Sequence, residues 1–185
     1  MADATSAPTD EHTVEESTDA EPDLMFDAPL TRSSGQAVLH VDATGYVDLM
    51  RRLHDGGYLM CVDLTAVDFL TFEGDRRVPP TIEPERFEVV VNLLCHAQRS
   101  RIRVRAQVPE EDSAVPSVSS LYPGVDAMER EAYDMFGVAF TDHPDLTRIL
   151  MPEDWIGHPL RKDYNSGRIP VQFKAPVNRP DAVEA

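Results

Sequence analysis

Six prolines, Pro144, Pro152, Pro159, Pro170, Pro176 and Pro180, punctuate the end of this chain and decide what that end cannot be. Each removes a backbone donor, fixes its own φ and pushes the residue before it towards extended geometry. No helix of useful length fits between them. Yet the same segment carries Leu146, Ile149, Leu150, Met151, Trp155, Ile156 and Leu160. Burying a side chain of that size is worth roughly 1.5–3 kcal/mol, so the segment needs a surface, either this chain's own or another protein's. Residues 144–185 are therefore read as an extended, docked C-terminal arm.

A helix precedes the arm. Steps of about 100° per residue gather Val125, Met128, Ala132, Met135 and Phe136 into one apolar arc. Arg130 and Asp134 fall on the opposite face, four apart, where they can pair along the helix. Glu129 and Glu131 land at the two edges of the arc, about 160° apart. Gly137 supplies the left-handed residue that ends the helix. The edge carboxylates can accept bonds from backbone amides or from cations of the arm, with Arg148, Arg161 and Lys162 as candidates.

Upstream, the pattern is that of a small α+β domain. Residues 36–41 read as a strand, and Asp42 or Thr44 can cap a helix running to about residue 54, with Val47, Met50 and Leu53 inward. Residues 58–70 are β-prone, with Asp63 and Asp68 suited to turn hydrogen bonds. Residues 87–95 form a continuous apolar strand, as expected when both faces are covered. Its partner alternates: Arg99, Arg101, Arg103 and Arg105 share one face, and Ile102, Val104, Ala106 and Val108 the other. That row is either solvated or set against carboxylates, of a neighbouring subunit or of the chain's own acidic segments. Val115, Pro116 and Ser117 read as the start of a short helix capped by Ser117.

Charge is unevenly spread. Nine of the acids behind the net −16 lie in residues 1–31, which hold no lysine or arginine. Residues 1–33 read as an acidic, disordered extension. This balance argues against nucleic acid as a partner, since phosphate binding needs concentrated positive charge. The longest apolar runs are too short to span a bilayer, and no secretory signal opens the chain. Cys61 and Cys95 sit singly in apolar segments and read as packing residues. A soluble metal-dependent hydrolase using Glu129, Glu131 and His143 is a distant alternative. Its two glutamates diverge on the helix, and His143 and His158 lack ligand spacing.

Three ordered blocks then carry a resemblance: Glu129-Arg130-Glu131 with Asp134-Met135-Phe136-Gly137; His143-Pro144-Asp145-Leu146 with Arg148-Ile149-Leu150; and Gly157-His158-Pro159-Leu160-Arg161-Lys162-Asp163-Tyr164. Together they resemble the C-subunit family of NADH-quinone oxidoreductase, a hydrophilic component of the peripheral arm of respiratory complex I. Ala127 and Thr147 depart from that pattern. The resemblance implies a non-catalytic scaffold within a translocase that passes electrons from NADH to quinone. It implies no cofactor in this chain, with FMN, iron–sulfur clusters and quinone held by neighbouring subunits. It implies contact with the large quinone-site subunit and with cluster-bearing hydrophilic subunits. Membrane association through the complex, on the cytoplasmic side of the cell membrane, follows in the same way. A related membrane-bound hydrogenase or quinone-linked dehydrogenase is the near alternative. Glu129, Arg130, Glu131, Asp134, His143, Arg148, Trp155, His158, Arg161, Lys162 and Asp163, with Arg101 and Arg103, are expected to anchor the arm or meet a partner.

The expected fold is α+β: a small mixed β-sheet with helices packed on one side over residues 34–143, then the extended proline-rich arm.

Overall fold

The computed structural model describes residues 23–165. Its sheet is built outward from the hairpin of β5 (Phe87–Cys95) and β6 (Ser100–Val108), antiparallel from Phe87↔Val108 to Cys95↔Ser100. Arg99 leaves the expected arginine row, because it takes the hairpin turn at φ 50. Arg101, Arg103 and Arg105 keep their common face. β4 (Met60–Asp68) lies antiparallel beside β5, and β3 (Gln36–Asp42) lies parallel beside β6. The sheet is mixed and six-stranded, in the order β1 (Leu24–Met25), β2 (Ala28–Ser33), β3, β6, β5, β4, with β1 and β2 as the outer pair.

Order begins earlier than composition suggests. Residues assigned to the acidic extension instead form β1 (Leu24–Met25) and β2 (Ala28–Ser33), an antiparallel hairpin on the free edge of β3. Its two-residue turn places Phe26 and Asp27 at φ 56 and 58, the left-handed pair whose twist matches the strands it joins. Neither residue is glycine or asparagine, so the usual signal of such a turn is missing. Ala28 is buried in the core, which ties this hairpin to the rest.

Both helices cover one face of the sheet. Before α1 (Tyr46–Asp55), the Asp42 carboxylate accepts the Gly45 amide and the Thr44 hydroxyl, each at 2.7 Å, and so fixes the strand-to-helix corner. Tyr46, Leu49, Met50 and Leu53 turn inward and join the buried cluster that also holds Leu39, Val89, Val91 and Val104. A 3₁₀ turn (Pro123–Val125) leads into α2 (Asp126–Phe136), which buries Val125, Ala132, Met135 and Phe136 and half-buries Met128. Gly137, at φ 72, ends it.

The segment read as a short helix at Val115–Ser117 is a strand. β7 (Ala114–Pro116) pairs in parallel with β8 (Ala139–Thr141), and the Ser117 amide donates to the Thr141 carbonyl at 2.7 Å. Parallel neighbours need a crossover connection, and α2 is that crossover. Two three-residue strands thus clamp both ends of the helix on which the functional side chains stand.

Candidate interaction site at the end of the second helix

Asp134 organises the arm. The helical projection puts it on an open face beside Arg130; the structure buries its side chain completely and gives the two residues different partners. Arg148 donates to Oδ1 at 2.6 Å, while the amides of Ile149, Leu150 and Met151 donate to Oδ2 at 3.1, 2.8 and 2.8 Å. Burial by itself raises the Asp134 pKa, but these amides and the guanidinium more than offset it and hold the carboxyl below its ordinary range. Three successive amides without a helix or sheet of their own are satisfied by one carboxylate. Arg130 reaches the next stretch, donating to the Thr147 carbonyl, the Thr147 hydroxyl and the Arg148 carbonyl.

The helix C-terminus supplies the complementary acceptors. Its last carbonyls have no partner inside the helix, and the arm provides donors in order. His158 Nδ1 donates to the Asp134 carbonyl at 3.0 Å, the Leu160 amide to Met135 at 3.0 Å, and Arg161 Nε to Phe136 at 2.6 Å. His158 also packs edge-on against Tyr133, and the Arg161 guanidinium lies over the Phe87 ring. Gly137 makes this approach feasible. A Cβ there would lie 2.6 Å from His158 Cδ2 and 2.7 Å from Arg161 Nη2.

The arm's final contact is with the sheet. Asp68, at the end of β4, accepts the Leu70 and Lys162 amides and a two-pronged contact from Arg86. Burial pushes the Asp68 carboxyl up, but Arg86 and the two amides outweigh it and hold the value low. Arg86 also meets Asp163 and Glu110, and its own pKa is raised chiefly by the Asp68 contact. Lys162 acts through its backbone amide rather than its cation. Asp68 and Arg86 are not among the expected site residues. A buried strand-end aspartate facing a distant arginine leaves no local spacing to read.

At the other end of α2, Glu129 is equally shielded from solvent but differently served. Ser117 donates its hydroxyl at 2.6 Å and Val118 its amide at 2.8 Å. His143 Nδ1 accepts the Asp145 amide, so in the neutral ring the proton sits on Nε2, which faces the Asp126 carbonyl at 3.3 Å and Glu129 at 3.7 Å. Burial pushes the Glu129 pKa up, against the lowering pull of Ser117, Val118 and His143. Glu131 is exposed, so the hydrolase trio of Glu129, Glu131 and His143 does not converge.

The arm's apolar side chains divide in two. Leu146 and Met151 pack against the core, whereas Ile149, Leu150, Trp155, Ile156 and Leu160 are exposed, Ile156 by 91%. On the sheet's other face Arg103 donates to Asn92 at 3.0 Å, and Arg101 is exposed. Residues 166–185, including Pro170, Pro176 and Pro180, lie outside the described residues.

Residues 39–169 match the family model described as "Respiratory-chain NADH dehydrogenase, 30 Kd subunit". The chain belongs to this family. The matched residues run from β3 into the arm and include the whole clamp around α2. Proteins named as the C-subunit of NADH-quinone oxidoreductase are similar to it: that of Saccharopolyspora erythraea is 41% identical over 156 residues, covering 82% of this chain and 59% of the relative. That of Roseiflexus castenholzii is 44% identical over 142 residues, covering 75% of each. The chain thus spans about three fifths of the length of its relative from Saccharopolyspora erythraea, and 58% of the one from Salinispora arenicola. Among solved structures, a trypsin-resistant fragment (1-134) of Nqo5 superposes with a TM-score of 0.57 at 32% identity, covering 64% of this chain and 89% of the fragment. A chain of an archaeal membrane-bound sulfane sulfur reductase shares the fold, with a TM-score of 0.56 at 22% identity over 83% of this chain and 91% of that one.

Proposed function

We propose that this member of the 30 kDa family is a non-catalytic scaffold subunit in the peripheral arm of a proton-pumping NADH-quinone oxidoreductase. It packs against the large quinone-site subunit, near the hydrophilic subunits that carry iron–sulfur clusters. Flavin, clusters and quinone belong to those neighbours, and this chain holds none of them. It joins the cytoplasmic side of the membrane through the complex. Among the described residues no helix is long and apolar enough to cross a bilayer.

The observation that carries this reading is the arm. Its backbone is fixed to α2 and β4 by part-buried hydrogen bonds, while Ile149, Leu150, Trp155, Ile156 and Leu160 stay exposed. A rigid backbone presenting an apolar row loses little entropy on docking, and a tryptophan such as Trp155 is among the residue types that most often dominate interface energetics.

Ile156→Asp tests it in the full chain. An exposed side chain this far from any core contact changes stability by less than about 0.5 kcal/mol, so the variant should melt with the parent. Recovery of the large quinone-site subunit from native membranes through the tagged variant should fall at least about tenfold. NADH-to-quinone electron transfer should fall in proportion to assembled complex. Equal recovery overturns the interface, and a stoichiometric flavin, metal or cluster on the dialysed chain overturns the scaffold role.

A further inference from the structure

The sheet face turned away from the helices holds a cavity of about 220 Å³. Strand register builds its floor. Thr31 faces Val38, Val38 faces Arg103, and two positions along β6 Arg105 faces Val90. These side chains point away from Leu39, Val91 and Val104, which belong to the helix-side core. The segment between β4 and β5 adds a wall of Asp75, Arg76 and Arg77. That wall is held in place. Arg105 donates to the Arg76 carbonyl, the Arg76 guanidinium donates to the Glu85 carbonyl and lies 3.8 Å from the centre of the Phe69 ring, and Asp75 accepts the Arg77 amide. Pockets for drug-sized ligands run to roughly 300–1,000 Å³, so this one suits a single small group.

Positive charge is in surplus here. Arg76, Arg77, Arg103 and Arg105 outnumber Asp75 and Glu88 by two, before Arg32, which borders the cavity from a strand position of the opposite face. Glu88 has no capacity left: Arg105 donates to it twice, and Arg76 and Gln107 once each. Asp75 is exposed and turned to the Arg77 amide. Arg103 spends only its Nε, on the neutral Asn92 at 3.0 Å, which leaves both terminal nitrogens uncommitted among the described residues. The Arg76 Nε is buried with no partner, a costly position for a donor.

Thr31 contributes a hydroxyl. Its Oγ1 lies 2.7 Å from Nε2 of the buried His40, whose Nδ1 has no partner. Burial, and then Arg105, lowers the His40 pKa to about 4, so the ring is neutral at neutral pH. A buried N–H without an acceptor is rarer than an acceptor without a donor, which places the ring proton on Nε2, aimed at Thr31. The Thr31 hydroxyl hydrogen is then free to turn to the cavity that Thr31 lines.

We propose that this cavity binds one phosphate group, free or as the end of a small monoester, anchored by Arg103 and completed by Arg77 and the Thr31 hydroxyl. The free end of Arg103 is a planar fork that takes two oxyanion oxygens at once. A tetrahedral oxyanion has further oxygens for a second guanidinium and a hydroxyl, and a carboxylate has none to spare. A phosphate monoester carries about −1.5 to −2 near pH 7, which matches the unspent charge.

Titration of the full chain with inorganic phosphate at fixed ionic strength provides the test, followed through amide and arginine Nε–H resonances. Saturable shifts at Thr31, Arg77 and Arg103 are expected, with a Kd on the order of 1 mM or tighter. Arg103→Gln keeps a partner for Asn92 and should weaken binding at least about tenfold, the worth of one charge-assisted contact. Arg77→Gln, at an exposed position, repeats the test without touching the packed face. Arg51→Gln makes the same charge change at an exposed position of α1 and should leave binding within about twofold. Glycerol phosphate separates the two sources: a tighter Kd than that of inorganic phosphate marks a monoester site, and a weaker one a site for the free ion. Acetate should bind at least about tenfold more weakly than either. Absence of saturation, equal binding of acetate, shifts confined to other residues, or equal losses in Arg51→Gln and Arg103→Gln each overturn the proposal. None of these outcomes bears on the arm interface, whose readout is subunit recovery.

Discussion

Glu129 and Asp134 stand on one helix, both shielded from solvent, and their neighbours treat them in opposite ways. Every group touching the Asp134 carboxylate is a donor: one guanidinium and three amides. Glu129 meets one amide, a serine hydroxyl that can also accept, and a histidine at 3.7 Å. Donors that cannot change role demand an anion, so Asp134 is held ionised. A hydroxyl that can change role tolerates a neutral group, and burial moves Glu129 towards one. The difference separates a carboxylate that fastens one segment to another from a carboxylate that completes a packed corner.

The sharpest way to break this contrast is Asp134→Asn. The amide nitrogen must face donors whichever way it turns, and Arg148 loses its counter-charge. Breaking a buried pair in this way costs about 3–5 kcal/mol, read as a shift in the urea midpoint. Amides of Ile149, Leu150 and Met151 should lose exchange protection, and fluorescence of Trp155, the chain's single tryptophan, should change as the arm loosens.

Gly137→Ala attacks the same clamp from the backbone. Left-handed geometry at φ 72 is strained for alanine, and the new Cβ displaces His158 and Arg161. The expected loss is about 1–3 kcal/mol, with the α2 core intact by near-ultraviolet dichroism.

The smallest effect belongs to Glu129→Gln, which should stay within about 1 kcal/mol of the parent at neutral pH because Ser117 can reverse its hydrogen bond. Acidity then sharpens the comparison. Asp134 has a lowered folded-state pKa, so its contribution is present above the ordinary value of 3.8 and is lost as pH falls through the folded value. Glu129 has a raised one, so its contribution is present below 4.5 and is lost as pH rises through the folded value. Urea midpoints taken across pH should show Asp134→Asn converging with the parent in acid, and Glu129→Gln flattening the decline above 4.5. Parallel curves would refute the contrast.

How much of this the sequence discloses depends on what each signal measures. The apolar arc of α2 is legible because Val125, Ala132, Met135 and Phe136 face the domain's own core. The same projection leaves Asp134 in solvent, since helical periodicity reports the first surface a helix covers and not a later segment laid over its back. The clue lies in the arm: Ile149 to Met151 have amides and no ladder, so an acceptor has to exist. The charged candidates are largely gathered where the arm meets α2, but Glu131 is not, because the arm crosses the Asp134 side. The hairpin of β1 and β2 stays hidden beneath acidic composition and a turn without glycine. β7 escapes because three residues are too few for any period to show.

The contact between the Lys162 amide and Asp68 spans 94 positions of the chain. Synthesis at about 5–20 residues per second leaves Asp68 waiting roughly 5–20 s for that partner. Until then Asp68 lacks the Lys162 amide, and the arm is held to α2 but not to β4. The fully pinned arm is thus among the last parts of the described structure that a nascent molecule acquires. On the interface proposed above, its appearance would mark translation past Lys162: a shorter chain offers a folded sheet without the pinned arm, and assembly would pass it over with no separate proofreading component.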